Sequence, residues 1–151
     1  MESVEDLRRA RARAVLHLLT PEQMPTWAAH ALIDGYDSPS LGELAGLDVA
    51  DPRDVQDTFT AALNELGAPT LDEAQARWEM ARAWAQAAVE GTMTPYEAAR
   101  RIWWQASSPL GHPDVLADFV GLASEWEDDP EHRAAYEADI VQAARVLLAC
   151  R

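Results

Sequence analysis

TLDEAQARWEMARAWAQAAVE, residues 70–90, decides the fold class. Leu71, Ala74, Trp78, Ala81, Ala85 and Ala88 recur at alternating spacings of three and four, which is the period of one face of an α-helix. Met80, Trp84 and Ala87 form a second apolar line on the same segment, so the helix is expected to sit centrally and meet neighbours on two sides. Alanine at most contact positions permits close helix approach. Thr70 followed by Glu73 has the capping-box spacing and predicts the start of this helix.

The same punctuation extends outward in both directions. At Thr20-Pro21, Ser38-Pro39, Asp51-Pro52, Thr94-Pro95, Ser108-Pro109 and Asp129-Pro130 a side-chain oxygen stands directly before proline. Such an oxygen accepts from the unpaired N–H groups of a first helical turn, and proline just inside the turn has no N–H to leave unsatisfied. Most of these pairs introduce an apolar stripe. Met24, Trp27, Ala28, Ala31 and Leu32 follow Pro21, where Thr20 and Gln23 can form a capping box, and Gly35 ends the helix. A short helix covers Leu41–Leu47, and Val55, Phe59, Ala62, Leu63 and Leu66 follow Pro52 up to Gly67. Ala99, Ile102, Trp103 and Ala106 follow Pro95. After a break at 107–113 come Val115, Leu116, Phe119, Val120 and Ala123, and then Tyr136, Ile140, Val141, Ala144, Leu147 and Leu148 after Pro130. The N-terminal segment reads as a helix over Ser3–Leu19, with Val4, Leu7, Ala14, Val15 and Leu18 apolar, four arginines between them and His17 as a partly buried packing residue.

No segment alternates with period two long enough to make a strand, and the apolar residues are Ala and Leu more than Val and Ile. The expected fold is all-α: a single helical domain over 1–151, an irregular bundle of six to eight helices joined by connections of about two to six residues. No fixed repeat period points to a solenoid. At 151 residues the chain is long enough to fold on its core alone, and its one cysteine, Cys150, has no internal partner. The opening residues Met1–Asp6 carry acids where a secretory signal carries basic residues, and the apolar runs are short, so a soluble cytoplasmic protein is expected.

All twelve basic residues are arginine, and alanine makes up almost a fifth of the chain, the composition of a GC-rich genome. The absence of lysine excludes a G-x-x-x-x-G-K phosphate loop, Schiff-base catalysis and protein-kinase chemistry. The net charge of −14 is uneven: residues 20–70 carry −8 and residues 111–151 carry −6, around a near-neutral middle. Such a field repels nucleic-acid phosphates and anionic membranes and speeds encounter with a basic protein surface, although acidity also serves solubility alone.

Four groups of residues invite a functional reading. Asp48, Asp51, Asp54 and Asp57 lie on and before the second helix of a helix-turn-helix outline, and their charge argues against DNA, since Arg53 alone among them could meet a phosphate. Glu125, Glu127, Asp128 and Glu131 belong to the most acidic stretch. Asp129, Pro130 and Glu131 suit a helix start, but Glu125, Glu127 and Asp128 crowd a negative helix end, at up to about 1 kcal/mol each unless a basic partner or an internal arginine compensates. An arginine of the N-terminal helix is the simplest compensation. Trp104, beside Arg100 and Arg101, points about 100° from Trp103 and has the composition of an interface hot spot. His30 stands four residues before Asp34, a spacing that lets a carboxylate orient an imidazole, and with Tyr36 and Asp37 it marks an alternative pocket. No metal or cofactor is expected: paired E-x-x-H, H-E-x-x-H and calcium-loop patterns are absent, and no nucleophile motif accompanies His30.

The run from Trp27 through Ala31-Leu32-Ile33-Asp34-Gly35-Tyr36-Asp37-Ser38-Pro39-Ser40-Leu41 to Leu44-Ala45-Gly46-Leu47, then Phe59, Ala62-Leu63 and Glu65-Leu66-Gly67, resembles a group of small uncharacterised helical proteins of high-GC actinobacteria. Trp126-Glu127-Asp128 before a long final helix is similar too. That resemblance implies a bacterial cytosolic setting and carries no site. Three readings remain open: a non-enzymatic domain whose acidic surfaces bind a basic partner, in the manner of an immunity protein or inhibitor; a small enzyme or ligand-binding protein with an interhelical pocket near His30; and a homodimer or larger homo-oligomer meeting through Trp104 and the alanine seam of residues 71–90.

Overall fold

The computed structural model describes residues 4–150, so the expected helix start at Ser3 lies outside the described residues. Among those residues there are eight α-helices and no strand: α1 (Val4–Val15), α2 (Met24–Ile33), α3 (Pro39–Ala45), α4 (Pro52–Glu65), α5 (Glu73–Glu90), α6 (Pro95–Ile102), α7 (Ala117–Asp128) and α8 (Arg133–Ala149). The chain groups into two compact units, residues 1–76 and 77–151, and the division falls in the first turn of α5.

In the first unit the proline-marked starts behave as elementary chemistry requires. Ser38 Oγ accepts from the Leu41 N–H at 3.1 Å, and Asp51 Oδ1 accepts from the Asp54 N–H at 3.3 Å. The Thr20 N–H donates to Gln23 Oε1 at 3.0 Å and opens a short 3₁₀ turn, Pro21–Gln23, which leads into α2. At the other end of α2, Gly35 takes φ +106°, with the Gly35 N–H on the Leu32 carbonyl and the Tyr36 N–H on the Ala31 carbonyl, a Schellman pair. Gly67 closes α4 in the same way. These ends aim α2, α3 and α4 at one another. The buried cluster joins Leu7 of α1 to Met24 and Ala28 of α2, Leu41 and Leu44 of α3, and Val55, Phe59 and Leu63 of α4. The Trp27 and Phe59 rings meet edge to face at 5.1 Å. Each fully buried leucine contributes about 1.5–3 kcal/mol by leaving water, which makes these stripes the main support of the unit.

Two polar ties fix the helices' register. Arg11, 8 % exposed, donates through Nε to the Pro69 carbonyl at 3.2 Å and through Nη2 to Asn64 Oδ1 at 2.7 Å and the Ala68 carbonyl at 3.2 Å. Burial holds its pKa below the ordinary arginine value. Glu65, at the end of α4, accepts from the Ser40 N–H at 2.9 Å and from the Ser40 hydroxyl, and these bonds hold its carboxyl below the usual range.

Three expectations for these helices need correction. The capping box of α5 is Asp72 with Gln75, each side chain accepting the other's N–H at 2.7 and 2.9 Å, and not Thr70 with Glu73; Ala74 is therefore an exposed first-turn residue. The first helix ends at Val15, not Leu19. The Leu18 N–H reaches back to the Arg13 carbonyl and the His17 N–H to the Ala14 carbonyl, which puts His17 at φ +60°, exposed, in a position where glycine is usual. His17 is thus a strained surface residue and not a packing one.

In the second unit α6, α7 and α8 pack mutually around buried Ala99, Ile102, Phe119, Ala123, Ile140 and Ala144. Thr94 Oγ1 caps α6 through the Glu97 N–H at 3.3 Å. After Ile102 the helix widens into a π turn, Trp103–Ser107, in which the Ser108 N–H bonds to the Trp103 carbonyl at 2.9 Å. Ser107 is wholly buried there, and its hydroxyl has no hydrogen-bond partner among the described residues. Asp114–Leu116 forms a 3₁₀ turn before α7, which leaves Val115 exposed instead of on the expected stripe. Arg82 of α5 donates to the Leu147, Leu148 and Cys150 carbonyls, closing the end of α8, whose last C=O groups have no partner within the helix.

Candidate functional site

The acid-rich end of α7 is organised by aromatic rings. Arg133, the first residue of α8, lies over the Trp126 ring at 3.7 Å and donates through Nε to the Trp126 carbonyl at 3.0 Å. Tyr96 of α6 stacks on the same ring at 3.8 Å and 13°. Two groups this close to one ring can only occupy opposite faces, so Trp126 is clamped between a phenol and a guanidinium. Within this unit Arg133 supplies a compensating cation at this helix end. The Tyr96 hydroxyl donates to Glu127 at 2.8 Å, and Trp126 Nε1–H donates to Glu137 at 3.3 Å. Burial, then the bond to Glu127, raises the Tyr96 pKa.

Asp129 Oδ2 accepts from the Tyr136 hydroxyl at 2.7 Å and lies 2.7 Å from His132 Nδ1. These partners hold the Asp129 carboxyl below its ordinary value, and the hydrogen bond to Asp129 pushes Tyr136 up to about 12. Glu127 and Asp129 are structural acids. Glu125, Asp128 and Glu131 are exposed, and their side chains carry no hydrogen bond or ion pair among the described residues.

The other acidic group lies in the first unit. Asp48 accepts from the Ala50 N–H at 3.0 Å and Asp51 caps α4, so both are exposed turn-formers. Asp54 and Asp57 are exposed on α4, with no side-chain partner among the described residues. Trp104 is 54 % exposed and stacks on half-buried Trp103 at 4.6 Å and 15°. Arg100 and Arg101 both pair with Glu97, at 3.3 and 3.0 Å, which lowers the Glu97 pKa and raises that of Arg100.

The His30 group does not converge on one cavity. Its exposed imidazole lines a cleft of about 340 Å³ with Arg13, Glu22 and Trp27, and Asp34 meets His30 only through a backbone bond of 3.0 Å. Tyr36 is buried, Asp34 and Asp37 are exposed, and none of the three lines that cleft.

A second cleft of the first unit, about 400 Å³, escaped sequence reasoning. It opens between the end of α1, α4 and residues 70–71. Buried Met24, Phe59 and Leu71 supply its apolar floor, and exposed His17, Asp57 and Thr60 its polar edge, with Arg11 also in the wall. No sequence signal groups these residues, because His17 arrives there only through the left-handed turn that ends α1.

Among the described residues no group of three or more His, Cys, Asp or Glu side chains is arranged to hold a metal ion, and no helix is long and apolar enough to cross a membrane. Comparison with protein-family models, curated proteins and solved structures finds no match to this chain.

Proposed function

We propose that the protein is a non-enzymatic binding module whose acidic surfaces receive a basic protein partner. One observation supports this reading above the others. Arg11, Arg77, Arg82 and Arg133 donate to backbone carbonyls, while Asp54, Asp57, Glu125, Asp128 and Glu131 stand exposed without an ion pair among the described residues. These four cations close helix ends and loops, and these five anions are left to solvent. An acidic field of this kind accelerates encounter with a cationic surface and falls away with salt.

The test is affinity capture from cells of the source, followed by measurement of binding between the purified protein and the captured species. A basic partner whose affinity falls steeply with ionic strength, and is lost with Asp128→Arg/Glu131→Arg, supports the reading. Unchanged binding by the reversed-charge variant overturns it, because both side chains are free of structural bonds.

A further inference from the structure

We infer that the 400 Å³ cleft of the first unit is a binding site for a small primary amine with an apolar, preferably aromatic, body. Its volume is within the range of small-molecule sites, and it has their composition: an apolar floor with a few polar groups at the edge. Met24, Phe59 and Leu71 are already withdrawn from water by the fold, so a ring laid on them buries its own face without requiring the floor to form.

The charges give the ligand a direction. Arg11 is bound to Asn64, and Asp57 stands seven residues earlier on α4, about 10 Å along the helix axis. The cleft therefore has a guanidinium at one end, with neutral oxygens as its hydrogen-bond partners, and an exposed carboxylate at the other. Asp57 has no partner among the described residues, so an incoming ammonium gains an ion pair without breaking one. The Thr60 hydroxyl on the next turn can accept from the same ammonium.

His17 completes the edge. It is held at φ +60°, where a residue with a side chain is strained and glycine is not. The same turn that strains the backbone puts the imidazole on the rim of the cleft, within the set of groups that lines it. A side chain kept at that cost fits a contact with a ligand.

Asp57 also belongs to the acidic surface of the partner-binding reading, but the two fail separately, because that reading is tested at Asp128 and Glu131, which lie in the other unit. It is tested with phenethylamine, 2-phenylethanol and 3-phenylpropionate, which share the ring and differ in head group, by titration of backbone amide resonances. The expected result is saturable binding of the amine, with shifts concentrated at residues 14–17, 56–60 and 70–71. The alcohol should bind about tenfold more weakly, and so should the amine to Asp57→Asn, each through loss of one charge-assisted contact. Asp57 is exposed on its helix, so this variant keeps the fold, and its amide spectrum verifies that. Equal affinity for amine and alcohol, shifts outside the cleft, or an unaltered affinity in Asp57→Asn overturns the assignment.

Discussion

The two units solve the same problem, fixing short helices against one another, with different chemistry. In the first, apolar stripes meet in one buried cluster and the polar ties are made by neutral acceptors around Arg11 and by the two bonds of Ser40 to Glu65. In the second, a half-buried indole is gripped between Tyr96 and Arg133, and two of the nearby acids, Glu127 and Asp129, are tied to phenols. The first arrangement depends on dry burial. The second adds to its own buried residues a clamp of groups that remain close to water.

Core truncation separates the two most strongly. Phe59→Ala removes a 2 %-exposed ring and the edge contact to Trp27, and should cost about 4 kcal/mol in chemical denaturation, with loss of the Trp27 environment. Trp126→Ala should cost only about 2–3 kcal/mol, since part of that ring already faces solvent. Equal losses would erase the distinction between dry and wet anchoring. Next comes the pair of arginines. Arg11→Met leaves the Ala68 and Pro69 carbonyls and the Oδ1 of exposed Asn64 unpaired and should cost about 2 kcal/mol, against about 1 kcal/mol for Arg133→Met, which leaves a single carbonyl unpaired; denaturation midpoints of the two variants decide the order.

Titration gives a smaller and more specific contrast. Glu65 and Asp129 have lowered folded pKa values, so their contributions are whole above the ordinary carboxylate range of about 4 and fade as pH falls through the folded values. Tyr136 behaves oppositely. Its raised value favours the neutral phenol, so its contribution is whole below about pH 10 and is lost as pH rises toward about 12. Stability against pH should therefore bend downward above pH 10 in the wild type and less so in Tyr136→Phe; identical alkaline limbs would sink this account. The smallest effect is a gain: His17→Gly relieves the left-handed strain and should raise stability by about 1 kcal/mol, read as a higher denaturation midpoint.

Much of the helix framework was legible because its signals are local. Ser38, Asp51 and Thr94 cap through neighbours three residues on, and Gly35 and Gly67 end helices through bonds spanning five residues or fewer. Where two such signals overlap, as Thr70/Glu73 and Asp72/Gln75 do, spacing alone does not choose between them. The π turn had no signal, since Trp103–Ser107 fits an α-helical stripe equally well. The division between units was also hidden, because it falls inside a continuous helix instead of at a Pro/Gly/Ser-rich stretch. The candidate sites were legible only as charge. Tyr96 meets Glu127 across 31 residues, and the cleft joins His17 to Asp57, pairings decided by tertiary packing.

The Trp103–Trp104 stack also gives the molecule an optical identity. Two indoles 4.6 Å apart and nearly parallel are close enough for their electronic excitations to couple. The expected outcome in circular dichroism is an exciton contribution superimposed on that of the helices. Helix content fitted from ellipticity alone will be biased by it, and Trp104→Phe supplies the spectrum against which the bias is measured.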